Sequence, residues 1–196
     1  MTQTTLAQTV WPRPAASPVA VWNRDAFLVT AFSLLTALTA QLSIHLPWTP
    51  VPITGQTFGV LLTGALLGPR LGALSLLLYL AEGSAGLPFF AGGSSGAAAL
   101  VGISGGYLIS YPFAAALVGW LAARGWDRKP QTMLAAMLLG SVVIYALGAG
   151  YLAHFIGAAK ALTLGVLPFL PGDALKALLA AGLLPAGWKM LGTKRG

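Results

Sequence analysis

Hydrophobic positions in this chain run in long blocks, without the two-residue or three-to-four-residue alternation of an element that keeps one face in water. The blocks span Ala26 to Leu46, Gln56 to Leu67, Leu71 to Glu82, Gly106 to Ala123, Thr132 to Phe155 and Gly172 to Leu191. Breakers separate them. Pro47-Trp-Thr-Pro-Val-Pro-Ile-Thr54 cannot be regular helix, because each proline removes a backbone donor. Gly68-Pro69-Arg70 ends the second block, a glycine-rich run from Gly83 to Gly105 follows the third, and Pro112 predicts a kink in the fourth. The first block is longer than the apolar core of a cleaved signal peptide, and more blocks follow it. The pattern therefore predicts an all-α integral membrane protein of six transmembrane helices, the second and third short for spans. Residues 1–24, polar and holding Pro12, Pro14 and Pro18, read as a loose N-terminal tail, which leaves 25–196 as one six-helix membrane domain.

Composition sharpens this. The chain of 196 residues is 57% hydrophobic and only 8% charged, against about 25% charged in a soluble domain. That is too little charge to cover a water-facing surface. Cysteine is absent, which excludes disulfides and thiolate metal sites. The net charge of +7 is not a nucleic-acid footprint, since no basic run is interleaved with aromatics. Its distribution instead gives an orientation. With both termini in the cytoplasm, Arg13, Arg24, Arg70, Arg124, Arg128, Lys129, Lys189, Lys194 and Arg195 all fall inside, and Lys160 alone falls on the outer loops. Positive charge marks cytoplasmic loops, so the asymmetry supports an even number of spans and this direction together.

The inner loops are short and charged. The outer ones, Pro47–Gly55, Gly83–Gly105 and Gly157–Pro171, are long, rich in glycine or proline, and nearly uncharged. Irregular backbone near a membrane is tolerated where protein buries it or where it lines a cavity. These loops are expected to roof a ligand pocket that opens outward.

Four acids exist: Asp25, Glu82, Asp127 and Asp173. Asp25 and Asp127 stand among basic residues at the inner ends of blocks and read as interfacial. Asp173 and Lys176 lie three residues apart, on one helical face at the outer end of the sixth block. An ionisable pair within a span is expensive and points to function. It offers an acceptor and a donor to a small polar ligand with both N–H and C=O groups. Glu82, just before the glycine-rich turn, is a further pocket candidate. Two histidines and four scattered acids show no metal-ligand spacing. Small-xxx-small spacings at Ser33/Ala37 and Gly59/Thr63 serve close helix packing, and a set exposed on the first span would serve docking.

Gly93-Ser94-Ser95-Gly96 with Ala153-His154-Phe-Ile-Gly157 resembles the serine and histidine motifs of rhomboid intramembrane proteases, where a Ser–His dyad does the chemistry. The serine lies about ten residues ahead of the fourth block instead of at a helix start, and His154 is in the very next block. Both placements argue against the dyad. The same loop has no Gly-Lys-Ser/Thr and so is not a phosphate cradle.

Five strings carry a stronger resemblance. They are Val51-Pro-Ile-Thr-Gly-Gln-Thr-Phe58, Gly64-Ala-Leu-Leu-Gly-Pro-Arg-Leu-Gly72, Leu78-Tyr-Leu-Ala-Glu-Gly-Ser-Ala-Gly-Leu-Pro-Phe-Phe-Ala-Gly-Gly93, Gly105-Gly-Tyr-Leu108 and Pro168-Phe-Leu-Pro-Gly-Asp-Ala-Leu-Lys176. In this order they resemble the BioY family, the biotin-specific capture (S) components of energy-coupling-factor importers. The resemblance implies high-affinity biotin binding on the outer face of a prokaryotic cell membrane, and no enzymatic activity or cofactor. Its implied partners are a transmembrane coupling subunit and cytoplasmic ATPase subunits. It also implies that Asp173 and Lys176 hold the biotin head group and that Gln56 and Tyr107 belong to the site. Where the family has Leu or Gln, this chain has Glu82. The Ala-x-x-x-Ala docking motif of the first span is present only loosely, as Ser33/Ala37. The neighbouring expectation within transport is capture of another small vitamin. A purely structural membrane subunit is disfavoured by the outward charged pair.

Overall fold

The computed structural model describes residues 4–15 and 17–192. Its helices in chain order are α1 (Leu6–Val10), α2 (Pro18–Gln41), α3 (Gln56–Leu67), α4 (Pro69–Ser84), α5 (Ala98–Val101), α6 (Gly105–Ala122), α7 (Pro130–Ile156), α8 (Ala158–Gly165) and α9 (Leu170–Gly192). Six of these are long, and five of the six coincide with predicted blocks to within two residues at either end. By length and composition α6, α7 and the stretch Ala158–Gly192 are able to cross a bilayer, while α3 is a shorter apolar helix. Two-residue strands β1 (Ser43–Ile44) and β2 (Ile53–Thr54) pair antiparallel, Ser43 opposite Thr54, and tie the two ends of the proline-rich loop together.

Local chemistry sets the helix ends. Ser17 caps α2 by accepting from the Ala20 amide, and Pro18 occupies its first position, where a missing N–H is harmless. Gly68 takes φ 85°, returns its N–H to Gly64 O at 2.8 Å, and hands the chain to Pro69 at the start of α4. α6 runs on through Pro112.

The chain before Arg24 departs from the loose tail that its polarity predicts. Thr5 and Gln8 form a capping box on α1, and Leu6 is buried in the core. Arg24 is 2% exposed. Its guanidinium donates to Trp11 O at 2.8 Å and Ala7 O at 3.4 Å and pairs with Asp25 at 2.6 Å, while Arg13 holds the other Asp25 oxygen at 3.0 Å. These bonds fasten the segment to α2, which starts at Pro18 and ends at Gln41, both earlier than the first block. Lys194 and Arg195, counted above among the inner basic residues, lie outside the described residues, as do residues 1–3 of the tail.

α6 is the central helix and packs on α3, α4 and α7. A Cβ on Gly64 would fall 2.3 Å from Ala115 O, so the α3 and α6 backbones touch there and only glycine fits. The outward faces are as apolar as the core. On α9, Ala177, Ala180, Ala181 and Leu184 are buried, while Leu175, Leu178, Leu179 and Leu183 are exposed. Two apolar faces explain why the sequence shows blocks without periodicity, and such a surface suits lipid.

Ser33 and Ala37 turn inward and are buried, so this loose small-xxx-small pair is not a surface open to a partner. The Ser33 hydroxyl donates instead to the Glu82 carboxylate of α4.

Candidate functional site

The proline-rich loop and the glycine-rich loop meet where the turn at Gly92 approaches His45. Beneath those loops lies a cavity of about 650 Å³. The proline-rich loop, the glycine-rich loop and the first turns of α3 and α6 contribute its walls, with Tyr145 from α7 and Lys176 from α9. Phe90, Leu108, Ile144 and Phe169 make much of the lining apolar.

Lys176 is the hub of the polar side. Its ammonium donates to Asp173 Oδ1 at 2.8 Å, Thr57 Oγ1 at 2.7 Å and Thr54 O at 2.9 Å. These three acceptors match the three N–H donors of an ammonium. Asp173, 8% exposed, also accepts from the Thr57 hydroxyl at 3.1 Å and from the Tyr145 hydroxyl. A buried carboxylate needs this many donors to offset the loss of water. Asp173 is thus set behind the wall, and Lys176, Thr57 and Tyr145 are its face toward the cavity.

Gln56 organises the neighbouring wall. Its carbonyl oxygen accepts from Thr54 Oγ1 at 3.1 Å and from the Tyr111 hydroxyl at 3.3 Å, and its amide donates to Tyr79. The Tyr79 hydroxyl continues to Phe89 O at 3.0 Å, on the loop that carries Phe90. Tyr107 lines the cavity with its ring and sends its hydroxyl to Gly165 O at 2.7 Å, which binds α6 to the end of α8. A Cβ on Gly148 would stand 2.3 Å from this ring, and the absence of one opens the space that the ring fills.

Of the five residues singled out in the sequence, Lys176, Gln56 and Tyr107 line the cavity and Asp173 is bonded directly to Lys176. Glu82 does not line it: its carboxylate is held by Ser33 between α2 and α4. The sequence reading missed Tyr145, Thr57, Tyr111 and Tyr79. Their signal was a polar tip inside an apolar block, where a hydroxyl needs a partner.

At the opposite end of the bundle Asp127 is 0% exposed. It lies in the turn Trp126–Arg128 and accepts from the Trp188 indole N–H at 2.6 Å, while Arg128 stacks over the Trp188 ring. Burial pushes its carboxyl above the usual range, against the pull of the indole bond. It is a buried link to α9 instead of the plain interfacial acid expected.

The profile of the BioY family matches residues 9–193. The chain belongs to the BioY family. The "Probable biotin transporter BioY" of Pyrococcus horikoshii is 43% identical over 157 residues, covering 80% of this chain and 91% of that protein. The "Biotin transporter BioY" of Rhizobium etli is 39% identical over 169 residues, covering 81% and 90%. A crystal structure of the S-component for biotin from an ECF-type ABC transporter superposes with a TM-score of 0.76 at 28% identity, covering 89% of this chain and 95% of that one. BioY proteins are membrane transporters of prokaryotes and not enzymes, and the protease geometry is absent too. Ser94 and Ser95 line the cavity, whereas His154 is exposed and its ring neighbours Tyr151. Among the described residues no hydrogen bond joins either serine to a histidine, and no cluster of acids and histidines fits a metal.

Proposed function

We propose that this BioY protein captures biotin as the substrate-specific membrane component of an energy-coupling-factor importer. In this reading α2, α3, α4, α6, α7 and α9 cross the membrane, both termini are cytoplasmic, and the cavity opens outward. The observation that carries it is Lys176, an ammonium facing a 650 Å³ cavity and held by a buried carboxylate one turn away. Small-molecule sites measure about 300–1,000 Å³ and combine apolar walls with a few fixed polar groups. The ureido ring of biotin offers a carbonyl acceptor and two N–H donors. Lys176 donates to the carbonyl, which takes the place of one acceptor that the ammonium now uses. Asp173, set behind the wall, acts on the ligand through Lys176 and Tyr145, which it fixes toward the cavity. Gln56 and Tyr107 form the wall beside them. Energy comes from partners, a transmembrane coupling subunit and cytoplasmic ATPase subunits, because the chain has no nucleotide-binding loop in its sequence.

Titration of the purified protein in detergent with biotin, thiamine and riboflavin tests this. Saturable one-to-one binding of biotin alone is expected. Binding of another vitamin in place of biotin would move the protein to a neighbouring specificity, and binding of none would remove the capture function.

A further inference from the structure

A second opening lies where α1 rests against the ends of α3 and α9 that are remote from Gln56 and Lys176. It is an open groove of about 480 Å³, lined by Ala7, Trp11, Leu28, Phe32, Gly187 and Leu191 among others. Leu28 forms a small apolar cluster with Leu67 and Leu71, apart from the main core, and Ala7 and Phe32 pack on it. The wall supplied by α1 is held from α2. Arg24 gives its guanidinium to the carbonyls of Ala7 and Trp11, two residues of the groove. Desolvating a guanidinium is costly, and here it keeps a five-residue helix in place beside the groove.

Positive charge gathers at one end of this groove. On α2, Asp25, Leu28 and Phe32 follow at spacings of three and four, so they share one face. At the Asp25 end the Arg13 and Arg24 guanidiniums meet a single carboxylate, which leaves an excess of one positive charge, and the Arg13 side chain is 52% exposed. Arg70, next to Leu71 of the apolar cluster, is exposed and forms no ion pair with a described residue. Trp11 and Trp22 are exposed within a turn of Arg24 or bonded to it, as aromatics are where a bilayer meets water. Further along the α2 face, Leu28 and Phe32 offer only apolar surface. A cationic, aromatic rim above an apolar slot has the order of a phospholipid, head group first and acyl chain below. Basic pockets between transmembrane helices on the cytoplasmic side take anionic head groups.

We infer that the groove between α1, α2 and α9 is a binding site for one anionic phospholipid of the inner leaflet, with its phosphate at the Arg13 end and an acyl chain against Leu28 and Phe32. Arg70 adds to the positive rim. Such a site lies outside the biotin cavity, and it needs only that α2, α3 and α9 cross the membrane with α1 at the cytoplasmic face. The bound lipid fastens α1 to α2 and α9.

Native mass spectrometry of the full chain in detergent, titrated with phosphatidylglycerol, phosphatidylcholine or inorganic phosphate, reads both lipid binding and oligomeric state. Wild type should retain one phosphatidylglycerol, roughly twentyfold more tightly than phosphatidylcholine, at about fivefold for each of two cations. Inorganic phosphate should not bind at the same concentration. Arg13→Gln should weaken phosphatidylglycerol about fivefold, and Arg13→Gln with Arg70→Gln should bring it to the level of phosphatidylcholine. Gly187→Phe should abolish retention by filling the slot, since a Cβ there meets Leu6 only at an ordinary 3.9 Å. Circular dichroism checks its fold. If that variant does not fold, Val10→Asp decides the matter: Val10 lines the groove at 67% exposure, and an acid there should expel phosphatidylglycerol more than phosphatidylcholine. The site is overturned if wild type retains no lipid or retains both lipids equally, or if the arginine variants bind phosphatidylglycerol like wild type. Retention by folded Gly187→Phe, or by Val10→Asp at the wild-type ratio, overturns it as well. Phosphate binding as tightly as the lipid would reduce the site to a free-anion site, and a dimer disrupted by Gly187→Phe would give the groove to a second copy of the chain; either result contradicts the inference.

Discussion

The Lys176 ammonium sits 2.8 Å from Asp173 Oδ1, one turn away on α9, and each member of the pair is held by groups from other helices. Thr57 in the first turn of α3 and Thr54 at the end of β2 accept from Lys176, and Tyr145 reaches Asp173 from α7. The pair is therefore a junction of three helices at the wall of a cavity. Disturbance of any one arm should be felt at the ligand.

Tyr145→Phe tests the α7 arm. It keeps the ring against Phe169 and removes the donor to Asp173 Oδ2. A hydrogen bond to a charged group contributes about 1.5–3 kcal/mol. We expect biotin affinity to fall about tenfold, with helix content by circular dichroism unchanged. Wild-type affinity in this variant would show that Asp173 needs no help from α7.

Glu82→Gln should leave biotin binding within about threefold of wild type, less than one hydrogen bond is worth. Glu82 is outside the cavity wall, and glutamine keeps an acceptor for Ser33. A larger loss in a titration would return Glu82 to the site.

Asp127 should give stability a pH dependence of its own. Its folded carboxyl is raised above the ordinary value of 3.8 by burial. The folded state therefore binds the proton more tightly than the unfolded state, and the charged form costs stability at neutral pH. This cost is relieved as pH falls through the raised folded value toward the ordinary one. Relative to Asp127→Asn, the wild-type unfolding midpoint should rise over that window, with a parallel change in Trp188 fluorescence, since the indole donates to Asp127 at 2.6 Å. Parallel curves for the two proteins would contradict this.

Much of the bundle was legible because apolar length and the breakers Gly68-Pro69 and the proline-rich run from Pro47 are local signals. The N-terminal helix was also written locally, in Thr5-x-x-Gln8 and Ser17-Pro18, but three prolines outweighed those caps in a reading by composition. The charged half of the site was legible because Asp173 and Lys176 share a helix face. Tyr145 was not, because a tyrosine in an apolar block reads equally as an interfacial aromatic, and its partner lies on another helix 28 positions away. The inward turn of Ser33 was hidden for a similar reason: small residues mark close packing without saying which neighbour they meet.

Orientation is open to a direct test. Gln131 is exposed at the start of α7, beside the basic turn, and Ala159 is exposed in α8 on the loop side. In otherwise cysteine-free protein, Gln131→Cys should label with an impermeant maleimide only after cells are opened, and Ala159→Cys should label on intact cells. The reverse pattern would invert the topology and place the cavity on the cytoplasmic side.

The central claim is that the Asp173–Lys176 pair binds biotin, and titration calorimetry of biotin into wild type, Asp173→Asn and Lys176→Met measures it most directly. Asp173→Asn keeps the size and removes the charge, and Lys176→Met keeps the length and removes the donors. Both proteins are first checked for an intact fold by thermal unfolding, since breaking one side of a buried pair is itself destabilising. We predict that each folded variant loses about ten- to a hundred-fold in biotin affinity, the effect of one charged hydrogen bond. Wild-type affinity in both variants would place the biotin site elsewhere in the molecule.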